Sequence, residues 1–271
     1  MRGCQTVPPL PSFIVIGAQK SATRWLRHNM GLHPEIFTAP TEIKFFNHPE
    51  RYRLLGPDWY RSRFEGWTGA PITGEATPGY LMWRHGTEAI ARRIEETVPD
   101  VRLIALLRNP VDRAASAFIH HVKQERIKPG TRLLDLVRAE PPEHDWLGLI
   151  SGGWYGASLE PYAEIFGDRL LVILHDDIGT DGRAPFERAL RHVGASTTFV
   201  PPTLGEVRAS NRRGAQGSAF ELTEEDRREL FEYFSDDLVR LEALLGRDLS
   251  GWTPAGARLT AALEPARSPT A

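Results

Sequence analysis

Cysteine is nearly absent. Cys4 is the single one in 271 residues, so no disulfide can close within the chain, and a reducing cytoplasm is the expected setting. Long apolar runs are missing as well. The longest, such as Phe13–Gly17 and Leu103–Leu107, reach about half a dozen residues, whereas a membrane span needs about 20. The opening stretch MRGCQTVPPLPS has no apolar segment of the kind that directs export. No membrane span is expected. Neither sign of charge dominates: the formal net charge is −2, which excludes the basic excess of a general nucleic-acid binder. The sequence holds no internal repeat, no HExxH, no paired CxxC and no EF-hand loop, so no metal site is expected. Lysine is scarce, with four (Lys20, Lys44, Lys123, Lys128) against 29 arginines.

What remains is an ordinary globular composition, 41% hydrophobic and 25% charged, too apolar for disorder. A chain of this length buries roughly three-quarters of its unfolded surface and needs no metal or disulfide to fold. Residues 1–11 are Pro-rich and read as a lead-in, and residues 253–271 read as a small, polar tail. Between them, over 12–252, short continuous apolar runs alternate with helical patterns. Phe13-Ile14-Val15-Ile16, Arg102–Leu107 and Leu170–Leu174 read as strands. Helices are expected at about 22–32, from Asn109-Pro110 to about 128, and at about 158–166, 185–193 and 223–245. Asn at the N-cap followed by Pro at the first helical position is a strong start signal. Apolar strands separated by helices predict a single α/β domain with a central, mainly parallel sheet flanked by helices.

Ligands in such sheets sit beyond the carboxyl ends of the strands. The loop after the first strand is Gly17-Ala18-Gln19-Lys20-Ser21-Ala22-Thr23. Glycine permits the turn, the amides of residues 20–23 open a helix and attract an anion, and Lys20 adds a point charge. It is not a Walker loop, which would need glycines where Ile14 and Gln19 stand. The alternative is an ordinary strand-to-helix turn carrying a surface lysine. The second strand ends in Arg108-Asn109-Pro110. A metal-dependent phosphotransferase wants an acid there; an arginine offers a fork for a phosphate or, alternatively, a structural ion pair. Ser116, His120 and Lys123 fall on one polar stripe of the following helix, with Ala115, Ile119 and Val122 on an apolar one. Two anion-binding elements at adjacent strand ends suggest a nucleotide with two separate phosphates and no obligatory metal.

These segments together resemble the sulfotransferase superfamily, and within it the branch typified by heparan sulfate sulfotransferases. GAQKSATRWL is similar to that family's 5′-phosphosulfate loop, G-x-x-K-x-G-T-T-x-L. LLRNPVDRAASAFIHH is similar to its 3′-phosphate segment, R-N-P-x-x-R-A-x-S-x-(Y/F)-x-H. TEIKFFN resembles K-E-x-x-F-F, and GEATPGY resembles E-K-(S/T)-P-x-Y. GGWYGASLEPYAEIFGDRLLVILHDD and LFEYFSDDLVRLEALLGRDLSGW extend the likeness, which spans roughly 12–252.

The resemblance implies that 3′-phosphoadenosine 5′-phosphosulfate (PAPS) is the donor and adenosine 3′,5′-bisphosphate (PAP) the product, with no metal required. It implies that Gly17, Ala18, Gln19, Lys20, Ser21, Ala22, Thr23 and Arg24 hold the 5′ end. Arg108 and Ser116 would hold the 3′-phosphate, Tyr155 would lie near the nucleotide, and Asn211, Arg212 and Arg213 would close over it. Lys20 would stabilise the departing phosphate, and Glu42 would be the general base. Lys44, Phe46, His48, Tyr80 and His120 are the candidate acceptor-binding residues, with His48, His120 and His121 as alternative bases and the nearby aromatic residues as core or pocket lining. Asp176-Asp177 could in principle bind Mg²⁺ but read as a loop cap.

Three positions depart from the family pattern: Arg24 replaces a small hydroxyl residue, Thr41 a basic residue, and Ala76 the lysine of the E-K-(S/T)-P block. The missing cations and the small net charge favour a neutral or lightly charged hydroxyl acceptor on a small molecule, lipid or carbohydrate. A Mg-dependent small-molecule or nucleotide kinase and a catalytically silent nucleotide-binding protein are the competing readings.

Overall fold

Side-chain parity along the strands organises the molecule. In a computed structural model that describes residues 8–139, 141–179, 181–206 and 221–255, five parallel strands form one sheet. They are β1 (Phe13–Gly17), β2 (Ile36–Thr38), β3 (Ile72–Ala76), β4 (Arg102–Leu107) and β5 (Leu170–Leu174), in the order β2-β3-β1-β4-β5. Phe13 is in register with Gly74 on one side and Arg102 on the other, and Leu103 with Leu170. The helices are α1 (Thr23–Gly31), α2 (Pro49–Ser62), α3 (Thr87–Thr97), α4 (Pro110–Lys123), α5 (Leu133–Ala139), α6 (Tyr155–Phe166), α7 (His175–Ile178), α8 (Arg183–Val193), α9 (Glu224–Glu232) and α10 (Ser235–Leu245).

Both faces of the sheet are covered, which is why β1, and β4 after its exposed first residue Arg102, are apolar throughout. Ile14 and Ile16 of β1 and Leu103, Ala105 and Leu107 of β4 pack with α3, α4, α6, α9 and α10. The alternate residues Phe13, Val15, Ile104 and Leu106 pack with Trp25, Leu26 and Met30 of α1 and Phe186, Ala189 and Leu190 of α8. Helix α1, after β1, therefore lies on one face, while α4, after the neighbouring β4, lies on the other. The two outgoing chains part at the strand tips and leave a crevice between them, the place where open α/β sheets take their ligands.

The α/β architecture expected from the apolar runs is present. Two strands went unread. β2 has three residues, and β3 (ITGEA) carries Gly74 and Glu75 in its interior, both poor strand signals. Gly74 is there for close approach: a Cβ would meet the Phe13 ring at 2.2 Å. The expected helix at 223–245 is two, because the chain turns at Tyr233-Phe234, where their amides bond three residues back to Leu230 and Phe231 and Phe234 is fully buried. Helix α4 stops at Lys123 and not near 128; Glu125 takes a left-handed φ of 57°, and the Arg126 amide returns to the His121 carbonyl, a typical helix ending. Its start is as read, with Asn109 Oδ1 accepting from the Val111 and Asp112 amides at 3.0 and 3.3 Å. The apolar face of α4 is broader than the stripe read from the sequence: its most buried residues are Val111, Ala114, Ala117, Phe118 and His121, while Ile119 and Val122 are half-buried and pack against the same core. Cys4, Asn211, Arg212, Arg213 and the tail beyond residue 255 lie outside the described residues.

Candidate active site

β1 ends on Gly17, where a Cβ would lie 2.5 Å from Leu81 Cβ, so no larger residue fits under the loop. The Ala18 amide bonds to the Leu106 carbonyl at 2.7 Å, tying the loop to β4. Lys20 and Ala22 then adopt left-handed φ values of 72° and 68°, and α1 begins at Thr23 with no acidic residue in its first turn. The first amides of a helix have no partners within it and attract anions. The two left-handed residues store strain that a non-glycine keeps only where surrounding contacts enforce it, a pattern concentrated at functional sites.

Lys20 is the centre of a ring of cations. Its ammonium is pushed down to about 8, first by burial, then by repulsion from Arg24, Lys123, Arg108 and Arg113. Arg108 stands just past the tip of β4, and Arg113 and Ser116 are buried on α4. Burial lowers Arg113 too; it has no carboxylate in salt-bridge contact among the described residues, and Asp145 and Tyr155 act on it only from further off. Its Nη2 donates to the Leu149 carbonyl, while Nε and Nη1 have no partner.

Other buried polar atoms converge here. Among the described residues Gln19 Oε1 is buried without a hydrogen-bond partner, and the buried Ser21 and Tyr155 hydroxyls have at most each other and the Arg108 backbone. The Tyr155 hydroxyl neighbours Ser21 and the Arg108 backbone, and burial raises it. The open N–H groups of Arg113 and these buried hydroxyls, beside Lys20 and Arg108, are costly unless a ligand satisfies them. A compact polyanion does both. The residues present thus fit a nucleotide carrying separate 5′ and 3′ anionic groups, and Tyr155 links the loop around Lys20 to Arg108.

Glu42 lies in the chain that returns from β2. Its side chain is 47% exposed and its carboxylate stands 3.4 Å from Lys44 Nζ. The residues after it are fastened to Thr77 and Tyr80, just past the end of β3, so this segment sits at the same carboxyl edge of the sheet as the loop around Lys20. His48 is exposed and lowered by burial, Arg51 and Lys44. His120 is pushed down to about 4 by burial, then by Lys20 and His121, which places it against the cation ring. Its neighbour His121 points the other way, buried, with Nε2 2.9 Å from the Leu147 carbonyl.

Phe46 and Tyr80 correct the sequence reading. Both are fully buried; Phe46 packs edge-on against Tyr80 at 5.5 Å and Tyr60 at 4.9 Å, and the Tyr80 hydroxyl donates to Glu75. Neither presents a surface to an acceptor. Ala76 also differs from expectation: it packs in the layer beneath α1 with Phe13, Val15 and Trp25, so its small size answers to packing there and says nothing of the acceptor. Asp176 and Asp177 are engaged by Trp252 Nε1 and by Arg247 and Arg188, as befits a structural corner. Among the described residues no cluster of three or more His, Cys, Asp or Glu forms a metal-binding group, and no helix is long and apolar enough to cross a membrane.

Two residues went unremarked in the sequence. Arg113 falls on the buried face of α4, between Pro110 and Ala117, where a charge breaks the apolar pattern; that break was the available signal. Glu75 is a fully buried carboxylate in β3; its available signal was the E-x-T-x-x-Y spacing of GEATPGY, which supplies two of its partners, Thr77 and Tyr80, while Tyr60 comes from 15 residues earlier.

Comparison with known proteins agrees with this geometry. The family described as "Sulfotransferase domain" matches residues 10–175. The human heparan sulfate glucosamine 3-O-sulfotransferase 6 is 29% identical over 198 residues, covering 70% of this chain and 55% of that protein. The human bifunctional heparan sulfate N-deacetylase/N-sulfotransferase 2 is 32% identical over 126 residues, 43% of this chain and 13% of that one. The chain spans about half, or less, of the length of these relatives. The crystal structure of a sulfotransferase from Alicyclobacillus acidocaldarius superposes with a TM-score of 0.74 at 30% identity, over 89% of this chain and 98% of that one. Loop, cation ring, fold and family match converge: the chain belongs to the sulfotransferase family.

Proposed function

We propose that this protein transfers a sulfonate group from PAPS to a hydroxyl of a small-molecule, lipid or carbohydrate acceptor, in a reducing cytoplasm and without a metal. The observation that carries the reading is the group of Arg24, Arg108, Arg113 and Lys123 around Lys20, with open N–H groups on Arg113 and the buried Ser21 and Tyr155 hydroxyls between two neighbouring strand tips.

The donor supplies a sulfonate activated by a phosphate leaving group. The backbone of residues 21–23 and Lys20 hold its 5′ end, and Arg108 with Ser116 holds the 3′-phosphate. Lys20, largely protonated at pH 7 even with its pKa lowered to about 8, neutralises the charge that gathers on the phosphate as the bond to sulfur breaks. Glu42 accepts the proton of the acceptor hydroxyl as its oxygen bonds to sulfur. Lys44, His48 and His120 border the acceptor side. His120, held neutral, can accept or donate one hydrogen bond without adding charge.

Calorimetry and turnover test this together. Glu42→Gln should bind PAP with wild-type affinity and lose turnover by about 1,000-fold, the middle of the range for a general base. Full activity in that variant moves the proton to a histidine. No thermal shift with PAP, and no labelled sulfate on any member of an acceptor panel read by mass spectrometry, overturns the reading.

A further inference from the structure

Beneath the Glu42 segment lies a closed set of hydrogen bonds that the nucleotide site does not use. The Glu75 carboxylate is completely buried on β3 and accepts three hydroxyls: Tyr60 and Tyr80 at 2.9 Å on one oxygen and Thr77 at 2.6 Å on the other. Two of those hydroxyls in turn accept backbone amides. Thr77 Oγ1 takes Ile43 and Lys44 at 3.1 and 3.3 Å, and the Tyr80 oxygen takes Phe45 at 3.0 Å. From outside, Arg51 Nη1 donates to the Ile43 and Lys44 carbonyls at 3.0 Å each. Every polar group of this turn is held, and Lys44 is kept at a left-handed φ of 55°. Such a conformation persists only where its surroundings dictate it.

The direction of these bonds matters. A hydroxyl has one proton and two lone pairs, and a carboxylate can only accept. Glu75 draws the protons of Thr77 and Tyr80 toward itself, which turns their lone pairs toward the amides of residues 43–45. Burial raises Glu75, and its three hydroxyl partners hold it down.

We infer that Glu75 is a positioning residue: through Thr77 and Tyr80 it sets the 43–45 turn and so presents Glu42 to the acceptor. The inference rests on the proposed role of Glu42. It predicts that shape alone is insufficient. In Glu75→Gln the amide must donate, so it meets either the Thr77 oxygen, whose lone pairs are taken, or the two tyrosine hydroxyls, one of which already serves Phe45.

The test compares Glu75→Gln, Thr77→Val, Thr77→Ser and Tyr60→Phe in the full chain. Hydrogen exchange of the Ile43, Lys44 and Phe45 amides reads the turn without any acceptor; PAP formed from PAPS, with water or a panel acceptor, reads turnover. Glu75→Gln and Thr77→Val should lose amide protection and turn over about 100-fold more slowly, as a misplaced reacting group does, with KM for PAPS and affinity for PAP within about twofold, because the nucleotide site lies elsewhere. Thr77→Ser keeps the hydroxyl and should restore both. Tyr60→Phe removes a bond to the same carboxylate but none to the turn, so it should lower the melting temperature and leave turnover of the folded protein intact. Wild-type amide protection or turnover in folded Glu75→Gln overturns the inference, as does an equal loss in Tyr60→Phe. If the wild-type protein forms no PAP at all, the sulfotransfer reading fails, while the exchange result still decides whether Glu75 holds the turn.

Discussion

Two charged corners stand at the same edge of the sheet and are built on opposite terms. At the tip of β5, Asp177 receives both Arg247 and Arg188, is held below the usual carboxylate range first by the Arg247 hydrogen bonds, and Asp176 accepts from Trp252. At the tips of β1 and β4, Lys20, Arg24, Arg108 and Arg113 face one another with no carboxylate in an ion pair among the described residues. The first corner is finished by the chain itself. The second is left with like charges together, and the proposed nucleotide is what would complete it. Charge that a fold neutralises serves the fold; charge it leaves exposed to itself is paid back on binding.

The comparison can be broken by exchanging the two kinds of arginine. Arg108→Ala should weaken PAP about 100-fold in calorimetry, the loss of charge-assisted hydrogen bonds to a phosphate, with little change in melting temperature of the free protein. Arg247→Ala should do the reverse, costing about 1 kcal/mol of stability for a partly exposed pair with PAP affinity unchanged. Equal effects in the two variants would erase the distinction.

A smaller effect sharpens it. Lys20 is pushed down to about 8 in the free protein, and a bound polyanion must raise it again. PAP binding therefore takes up a growing fraction of a proton as the pH rises through about 8, and affinity should fall about fivefold from pH 8 to pH 9; below pH 7 Lys20 is already charged and contributes little slope. Calorimetry in buffers of different ionisation enthalpy measures that proton, and Lys20→Arg should abolish it.

The smallest concerns the strain of the cradle. Ala22 sits at a φ of 68°, a conformation that costs a non-glycine residue about 1 kcal/mol. Ala22→Gly should raise the melting temperature by about 2–4 °C and leave PAP affinity near wild type. Among the described residues the β5 corner holds no such non-glycine, since the left-handed positions there are Gly179 and Gly182.

Much of this was legible from residues 12 to 252. Continuous apolar runs announced β1, β4 and β5 because strands buried on both faces have no polar side. Asn109-Pro110 announced α4 because capping is local chemistry. The Gly17–Thr23 loop and Arg108 could be singled out as candidate anion sites because amides at a helix start favour an anion wherever they occur. β3 was hidden, since Gly74 and Glu75 look wrong for a strand until Phe13 and the hydroxyls of Tyr60, Thr77 and Tyr80 are brought against them. Phe46 and Tyr80 looked like pocket lining for the same reason.

Sequence alone thus determined the layered α/β plan and the two strand-tip segments that carry the candidate anion-binding residues, all of which depend on neighbours within a few residues along the chain. Only the tertiary structure decided which charges stay unneutralised, which aromatic rings are core and which buried carboxylate supports the Glu42 turn. Those properties depend on the distances between segments tens of residues apart, and folding sets such distances through the burial of both sheet faces at once.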